Sequence, residues 1–181
     1  VPDRADKLND GAESAWRDAM SLARDDLSRM RADEGLGTHL LTTAQGGATT
    51  EERVRQSVAF LDSALGRIGS VTAAGDRDAR RAAILINRAT AYEVLGDIDR
   101  AFADWSAAAI ANERSASAWN GLARICLATG RGDASRALAK SAALAPDDPS
   151  AARERSRFRL AAHDVSGAKS ELESALARHP E

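Results

Sequence analysis

The sequence predicts an all-α chain built from consecutive helical hairpins, and three observations predict it. Apolar residues recur at spacings of three and four along most of the chain, the period of helices with one buried face. The breaks between these stretches are short and rich in Gly, Asp and Pro. The stretches also come in pairs that return: Leu85 to Trp119, Gly96 to Gly130 and Ala134 to Ala168 are each 34 residues apart.

Residues 1–10 are polar and read as loose. A first helix is expected from about Asp10 to Asp33, with Trp16, Met20, Ala23, Leu27 and Met30 as its apolar stripe. Gly35 is expected to end it, with Leu36 folding back over the last turn. Residues 35–49, GLGTHLLTTAQGGAT, read as a long loop. Thr49 with Glu52 has the form of a capping box, opening a second helix from about Thr50 to Val71. Its stripe is Val54, Val58, Leu61, Leu65 and Ile68, and Ala73-Ala74-Gly75 reads as a linker. Residues 1–75 thus form an N-terminal helical hairpin. Spacings of four and three also fit a coiled-coil seam, so the two stripes either pack within the chain or join two copies of it.

Residues 76–181 carry the repeating pairs, at about 80–113, 114–147 and 148–181. In the first pair Leu85, Ala89, Tyr92 and Leu95 precede Gly96-Asp97, and Ile98, Ala101, Phe102, Trp105, Ala108 and Ala109 follow it. A two-residue break forces the helices to be antiparallel neighbours. Gly96 suits a left-handed residue closing the first helix, and Asp97 a cap for the second. Ala89, Ala101 and Ala108 let the backbones approach, and Asp104 is expected on the outer face. The second pair runs through Ala116–Ala128, breaks at Gly130, reopens at Gly132-Asp133 and stops at Pro146. The third starts at Pro149, turns at His163-Asp164 and ends at Pro180.

A two-helix unit of about 34 residues resembles the tetratricopeptide repeat. The first copy matches the family pattern at Leu85, Ala89, Tyr92, Gly96, Ala101, Trp105 and Ala108, with Glu113 where Pro is usual. The second supplies Trp119, Leu122, Ala123, Gly130 and Pro146, with Cys126 in the Tyr place and a GRGD turn that slips by a residue. The third matches at Ala168, Leu172, Ala175 and Pro180. Arg155, Ser156 and Arg159 stand where apolar or small residues are usual, and a one-residue shift would put Phe158 in the Tyr place. The resemblance implies a right-handed α-solenoid.

Composition narrows the function. A net charge of −2 argues against general nucleic-acid binding. The 25 basic residues are 22 Arg and three Lys, which reads as compositional bias. Aromatic residues make up only 4%, so the core must be aliphatic and closely packed. One cysteine, Cys126, allows no intramolecular disulfide, which fits the cytoplasm or, had a signal been removed, the periplasm. The sequence begins at Val1 and not Met, which reads as a processed or trimmed product. No stretch has the roughly 18 apolar residues of a membrane span.

Catalytic signatures are thin. His39, His163 and His179 lie far apart, without metal-ligand spacing, so neither a metal nor another cofactor is expected. His163 reads as a turn residue and Cys126 as a small buried thiol. Gly35-Leu36-Gly37 has no preceding strand and is not a phosphate loop. Asp25-Asp26 and Asp147-Asp148 read as solvated or capping groups. An enzyme is therefore not expected.

What remains is a surface. The resemblance implies that the first helix of each repeat lines a concave groove holding an extended peptide or partner helix. On matching positions this gives Ile86, Thr90, Glu93 and Val94, then Asn120, Arg124 and Leu127, then Arg153, Arg157 and Leu160. Such a groove grades from apolar to basic and suits a protein or peptide partner with acidic groups. The Lys/Asn/Lys/Arg set with which one family variant grips a C-terminal carboxylate is not matched, because Ile86 and Thr90 replace its first members. The leading expectation is a non-enzymatic interaction module. The alternative is an assembly scaffold, a homodimer formed through the N-terminal hairpin.

Overall fold

The computed structural model describes residues 4–44 and 50–178, and every regular element among them is helical. The helices are α1 (Arg4–Leu22), α2 (Asp26–Thr43), α3 (Thr50–Gly66), α4 (Ala74–Val94), α5 (Ile98–Ala111), α6 (Ala116–Thr129), α7 (Ala134–Leu144), α8 (Pro149–Ala161) and α9 (Val165–Arg178), with a 3-10 turn at Ile68–Ser70. The chain divides into two compact units, residues 1–104 and 105–181, the division falling within α5.

In the first unit α1 packs on α2, α2 on α3 and α3 on α4. Several expectations fail here. The first helix is two helices: Asp25, whose carboxylate accepts from the Ser28 amide at 2.6 Å, caps α2 and separates it from α1. That acceptance, with the Ser28 hydroxyl, holds the Asp25 carboxyl below its ordinary range. Helix begins at Arg4, not near Asp10. Most of the expected loop is also helix, since α2 runs to Thr43 and buries Leu36, Gly37 and Leu40. Residues 45–49 and the expected Thr49 cap lie outside the described residues. The second long helix ends at Gly66, short of Val71, and the linker expected at 73–75 is already the start of α4 at Ala74.

Gly35 and Gly37 are consequently helical, and they serve approach between helices. A Cβ on Gly35 would overlap the Trp16 ring of α1. One on Gly37 would lie 2.9 Å from Cγ of Leu61 and 3.1 Å from the Ser57 carbonyl oxygen. The Ser57 hydroxyl donates to the Gly37 carbonyl at 2.6 Å, so α2 and α3 touch almost backbone to backbone. The two long stripes are used within the chain: Met30, Leu61 and Ile68 join Ala64, Val71 and Ile84 in one core, with Leu27 and Leu65 against it. Met30 and Leu61 are fully buried, so neither is available as a coiled-coil seam. Beside this core the buried Asp33 accepts from Ser63 at 2.6 Å and from Arg67 at 3.2 Å.

The repeat turns follow a shared plan. Gly96 has φ +73°, the Asp97 amide donates to the Tyr92 carbonyl at 2.8 Å, and the Asp97 carboxylate accepts from the Arg100 amide at 3.1 Å. Gly130 has φ +67°, and Asp133 caps α7 by accepting from the Arg136 amide at 2.9 Å. His163 has φ 60°, the Asp164 amide donates to the Arg159 carbonyl at 2.8 Å, and Asp164 accepts from the Gly167 amide at 2.9 Å. The matching bonds put Arg159 in the place of Tyr92, which settles the third copy's register. Phe158 does not take that place and is 37% exposed. Ser156, equivalent to Ala89 when both are counted back from the capping Asp, is buried and donates to the Ala168 carbonyl at 3.0 Å.

In the second unit α6 packs on α7 and α8, α7 on α8, and α8 on α9. Ala118, Ala123, Ala137, Ala151, Ala152 and Ala168 are all at most 2% exposed. Small residues thus form much of the contact. Gly121 is another case, because a Cβ there would overlap the ring of buried Trp105.

Three glycine-to-alanine changes should give different signs in urea unfolding. Gly37→Ala should destabilise by about 1–3 kcal/mol through overpacking. Gly96→Ala should destabilise by roughly 1 kcal/mol, since its φ disfavours a Cβ. Gly11→Ala, which meets open space within α1, should stabilise by about 0.5–1 kcal/mol.

Candidate functional site

The expected groove residues fall into two sets. In the first unit Ile86, Thr90, Glu93 and Val94 lie along the C-terminal half of α4. Ile86, Thr90 and Glu93 are half-buried, and Val94 is exposed. The Thr90 hydroxyl donates to the Ile86 carbonyl at 2.9 Å, which turns it back onto its own helix.

The other six expected residues lie in the second unit. Asn120, Arg124 and Leu127 follow one another at spacings of four and three along α6. Arg153, Arg157 and Leu160 do the same along α8. Short antiparallel connections through α7 make α6 and α8 parallel, and the Asn120 amide donates to the Ser150 hydroxyl at 2.9 Å. Ser150 is three residues before Arg153, so the first residue of the α6 stripe lies against α8 about one turn before the α8 stripe begins. Asp148 holds Ser150 in place, accepting from its amide at 2.9 Å and its hydroxyl at 2.8 Å. The α6 residues are half-buried, and those on α8 are exposed.

Charge along the stripes is more tempered than the residue types imply. The Arg124 guanidinium lies 5.7 Å from the Trp105 ring centroid, a cation–π geometry. Arg157 is 3.4 Å from Glu154, a buried carboxylate one turn back. The Asn120 side-chain oxygen is closed to water and has no hydrogen-bond partner. Trp105, Ser150 and Glu154 shape this surface; the sequence reading placed Trp105 in the packing of the first repeat and named neither Ser150 nor Glu154. A mid-helix glycine at 121 was the available signal for Trp105, because glycine there is disfavoured unless a neighbour needs the room.

Elsewhere the polar groups have structural roles. Asp104, expected on the outer face, is buried and receives Arg88 in a two-pronged bond, Nε to Oδ2 at 2.7 Å and Nη2 to Oδ1 at 2.8 Å. Arg88 also bonds Asp62 through Nη1. Burial alone would lower the Arg88 pKa, but the bonds to Asp104 and Asp62 outweigh it and raise the value. Burial, with a smaller push from Asp133, moves the Cys126 thiol up, which disfavours the reactive thiolate. His39 lies in α2 and His163 in the last repeat turn, while His179 lies outside the described residues. No cluster of three His, Cys, Asp or Glu side chains able to hold a metal occurs among the described residues. No helix among them is long and apolar enough to cross a membrane.

No family model matches the chain. No curated protein matches it either. Solved structures do match, among them one described as the crystal structure of MamA protein, at 15% identity and a TM-score of 0.53, covering 93% of this chain and 92% of that one. The likeness concerns the fold alone: the chain is an all-α helical-repeat protein of the tetratricopeptide-like α-solenoid class.

The buried Asp104 pair yields a test. Asp104→Ala leaves Arg88 without its two-pronged acceptor and should destabilise by about 2–4 kcal/mol. Asp99→Ala, on the exposed side of the same helix, should stay within about 0.5 kcal/mol. Thermal and urea unfolding of the two variants would make the comparison.

Proposed function

We propose that the protein is a non-enzymatic interaction module that holds a partner segment against the first helices of its repeats. The observation that carries this reading is the paired stripe on α6 and α8. Two parallel helices joined at Asn120 and Ser150 present exposed Arg153, Arg157 and Leu160 beside half-buried Arg124 and Leu127. Long guanidinium and aliphatic side chains in parallel rows suit an extended or helical polypeptide that alternates acidic and apolar groups. The α4 set, Ile86, Thr90, Glu93 and Val94, is assigned to the same function as a more apolar contact surface. Residues 1–75 act as the N-terminal part preceding the repeats. No specific observation favours self-association through that part, since the stripe residues Met30, Leu61 and Ile68 are buried in its own core.

Arg153→Ala with Arg157→Ala should weaken binding of an authentic partner, recovered by affinity capture, by ten-fold or more, at about 1.4 kcal/mol per decade. Helicity should change little, because both side chains are exposed, while the unfolding temperature should fall modestly, because the buried Glu154 carboxylate loses its Arg157 partner. Wild-type affinity should fall as salt rises. Titration calorimetry at two salt concentrations reads both effects. Unchanged affinity in the double variant would reject the α6–α8 surface.

A further inference from the structure

The last hairpin repeats the ion pairing of the first hairpin but lacks one member. Arg88 and Arg155 each lie nine residues before a capping Asp, and Asp104 and Glu171 each lie seven residues after it. The pairs are made in both hairpins: Arg88 with Asp104, and Arg155 Nε with Glu171 Oε2 at 3.0 Å. Arg88 has a third contact, from Nη1 to Asp62 on the preceding helix α3, and that carboxylate is half-exposed. The Nη1 of Arg155 is buried and has no partner. The helix preceding α8 is α7, and it faces this region with Ser135, Leu138, Ala139 and Ala142, none of them a carboxylate.

In place of the missing acid there is an open cleft of about 270 Å³. Those α7 side chains form one wall and Phe158 contributes to the other, with Arg155, Arg159 and Glu171 as the charged groups. The volume accommodates a few side chains. Two guanidiniums share Glu171, since Arg159 Nη2 approaches its Oε1 at 3.4 Å. Arg159 is held further by Asp164, already engaged as the cap of α9. One N–H donor of Arg155 is therefore unpaired beside an apolar wall.

We propose that this cleft binds an acidic side chain of a partner polypeptide, with a neighbouring apolar residue against Leu138 and Phe158. The ligand carboxylate takes at Arg155 the place that Asp62 takes at Arg88. The site belongs to α7, α8 and α9 and is distinct from the α6–α8 stripes. Nη1 is closed to water in the unliganded chain, so the guanidinium must rotate to meet the ligand. A single bond to Glu171 leaves it more freedom than the two-pronged bond leaves Arg88.

The chain supplies its own probe. A terminally blocked peptide with the sequence of residues 61–65, Leu-Asp-Ser-Ala-Leu, carries the Asp62 carboxylate directly after one leucine and three residues before another. Its Asp-to-Asn analogue removes only the charge. Titrated into 15N-labelled protein, the Asp peptide should shift the Arg155 Nε–H resonance and the amides of Leu138 and Phe158 saturably, and the Asn peptide should bind at least about ten-fold more weakly. Ala139→Asp restores an acid to α7 without touching Arg155. It should abolish peptide binding and raise the unfolding temperature. Arg153→Ala with Arg157→Ala should leave peptide binding unchanged, which separates this cleft from the paired stripes. Equal binding of both peptides, full binding by the Ala139→Asp protein, or no saturable shift in the wild type would each overturn the proposal.

Discussion

Helices joined by three or four residues, as every pair from α4 to α9 is, lie antiparallel and close, and this chain meets the constraint with small side chains. With 4% aromatic residues, large rings cannot fill gaps between distant helices. The backbones must come together instead, which requires Ala, Gly or Ser wherever two helices meet. Gly37 against Leu61, Ser156 against the Ala168 carbonyl and Gly121 against Trp105 are three local forms of this solution. Each loses to a single added methyl group or a lost hydroxyl, because close-packed interiors have little room to give.

Close approach also explains the buried ion pairs. Helices this near bring side chains on facing edges out of water, so a charge there must be paired. Arg88 meets Asp104 and Asp62, and Arg67 meets Asp33. Such pairs contribute less to net stability than their Coulomb attraction suggests, since desolvation opposes it. Their stronger effect is on register: sliding one helix by a turn would leave both charges buried and alone. The abundance of Arg over Lys suits this, because a planar fork can satisfy a carboxylate with two parallel bonds.

The sequence displayed the hairpins of residues 80–178 well and the first 75 residues poorly, and the difference is physical. In the repeats Gly96 and Gly130 sit at left-handed turns followed within one to three residues by a capping Asp, so composition and conformation agree. In the N-terminal part Gly35 and Gly37 look like punctuation but are spacers within a helix, with the signal for close approach divided between α2 and its neighbours. The helix break at Ala23–Asp25 was concealed because the apolar spacing of four and three continues across it, from Met20 to Leu27. The cap at Asp25 was visible only as one acid among many. On the candidate surface, the periodicity placed Arg153, Arg157 and Leu160 on one side of α8. It could not supply the tertiary contacts Asn120–Ser150 and Arg124–Trp105, which join residues 30 and 19 positions apart. The Asp104 error has the same origin: helical phase put it outside, and only the neighbouring helix carrying Arg88 makes that side an inside.

The GRGD turn has a wider consequence. The first and third repeats place their capping Asp directly after the left-handed residue, whereas the second inserts Arg131 and Gly132 between Gly130 and Asp133. The cap nonetheless re-forms and α7 begins in phase with it. Repeat length is therefore set by turn hardware and not by a residue count. Insertions and deletions at this point change the spacing along the chain while each helix keeps its phase relative to its own cap. Such a joint tolerates drift that a fixed-period comparison of sequences reads as loss of the repeat, though the backbone path persists. The same freedom makes the 130–133 turn a natural place for grafting an added segment between two helices.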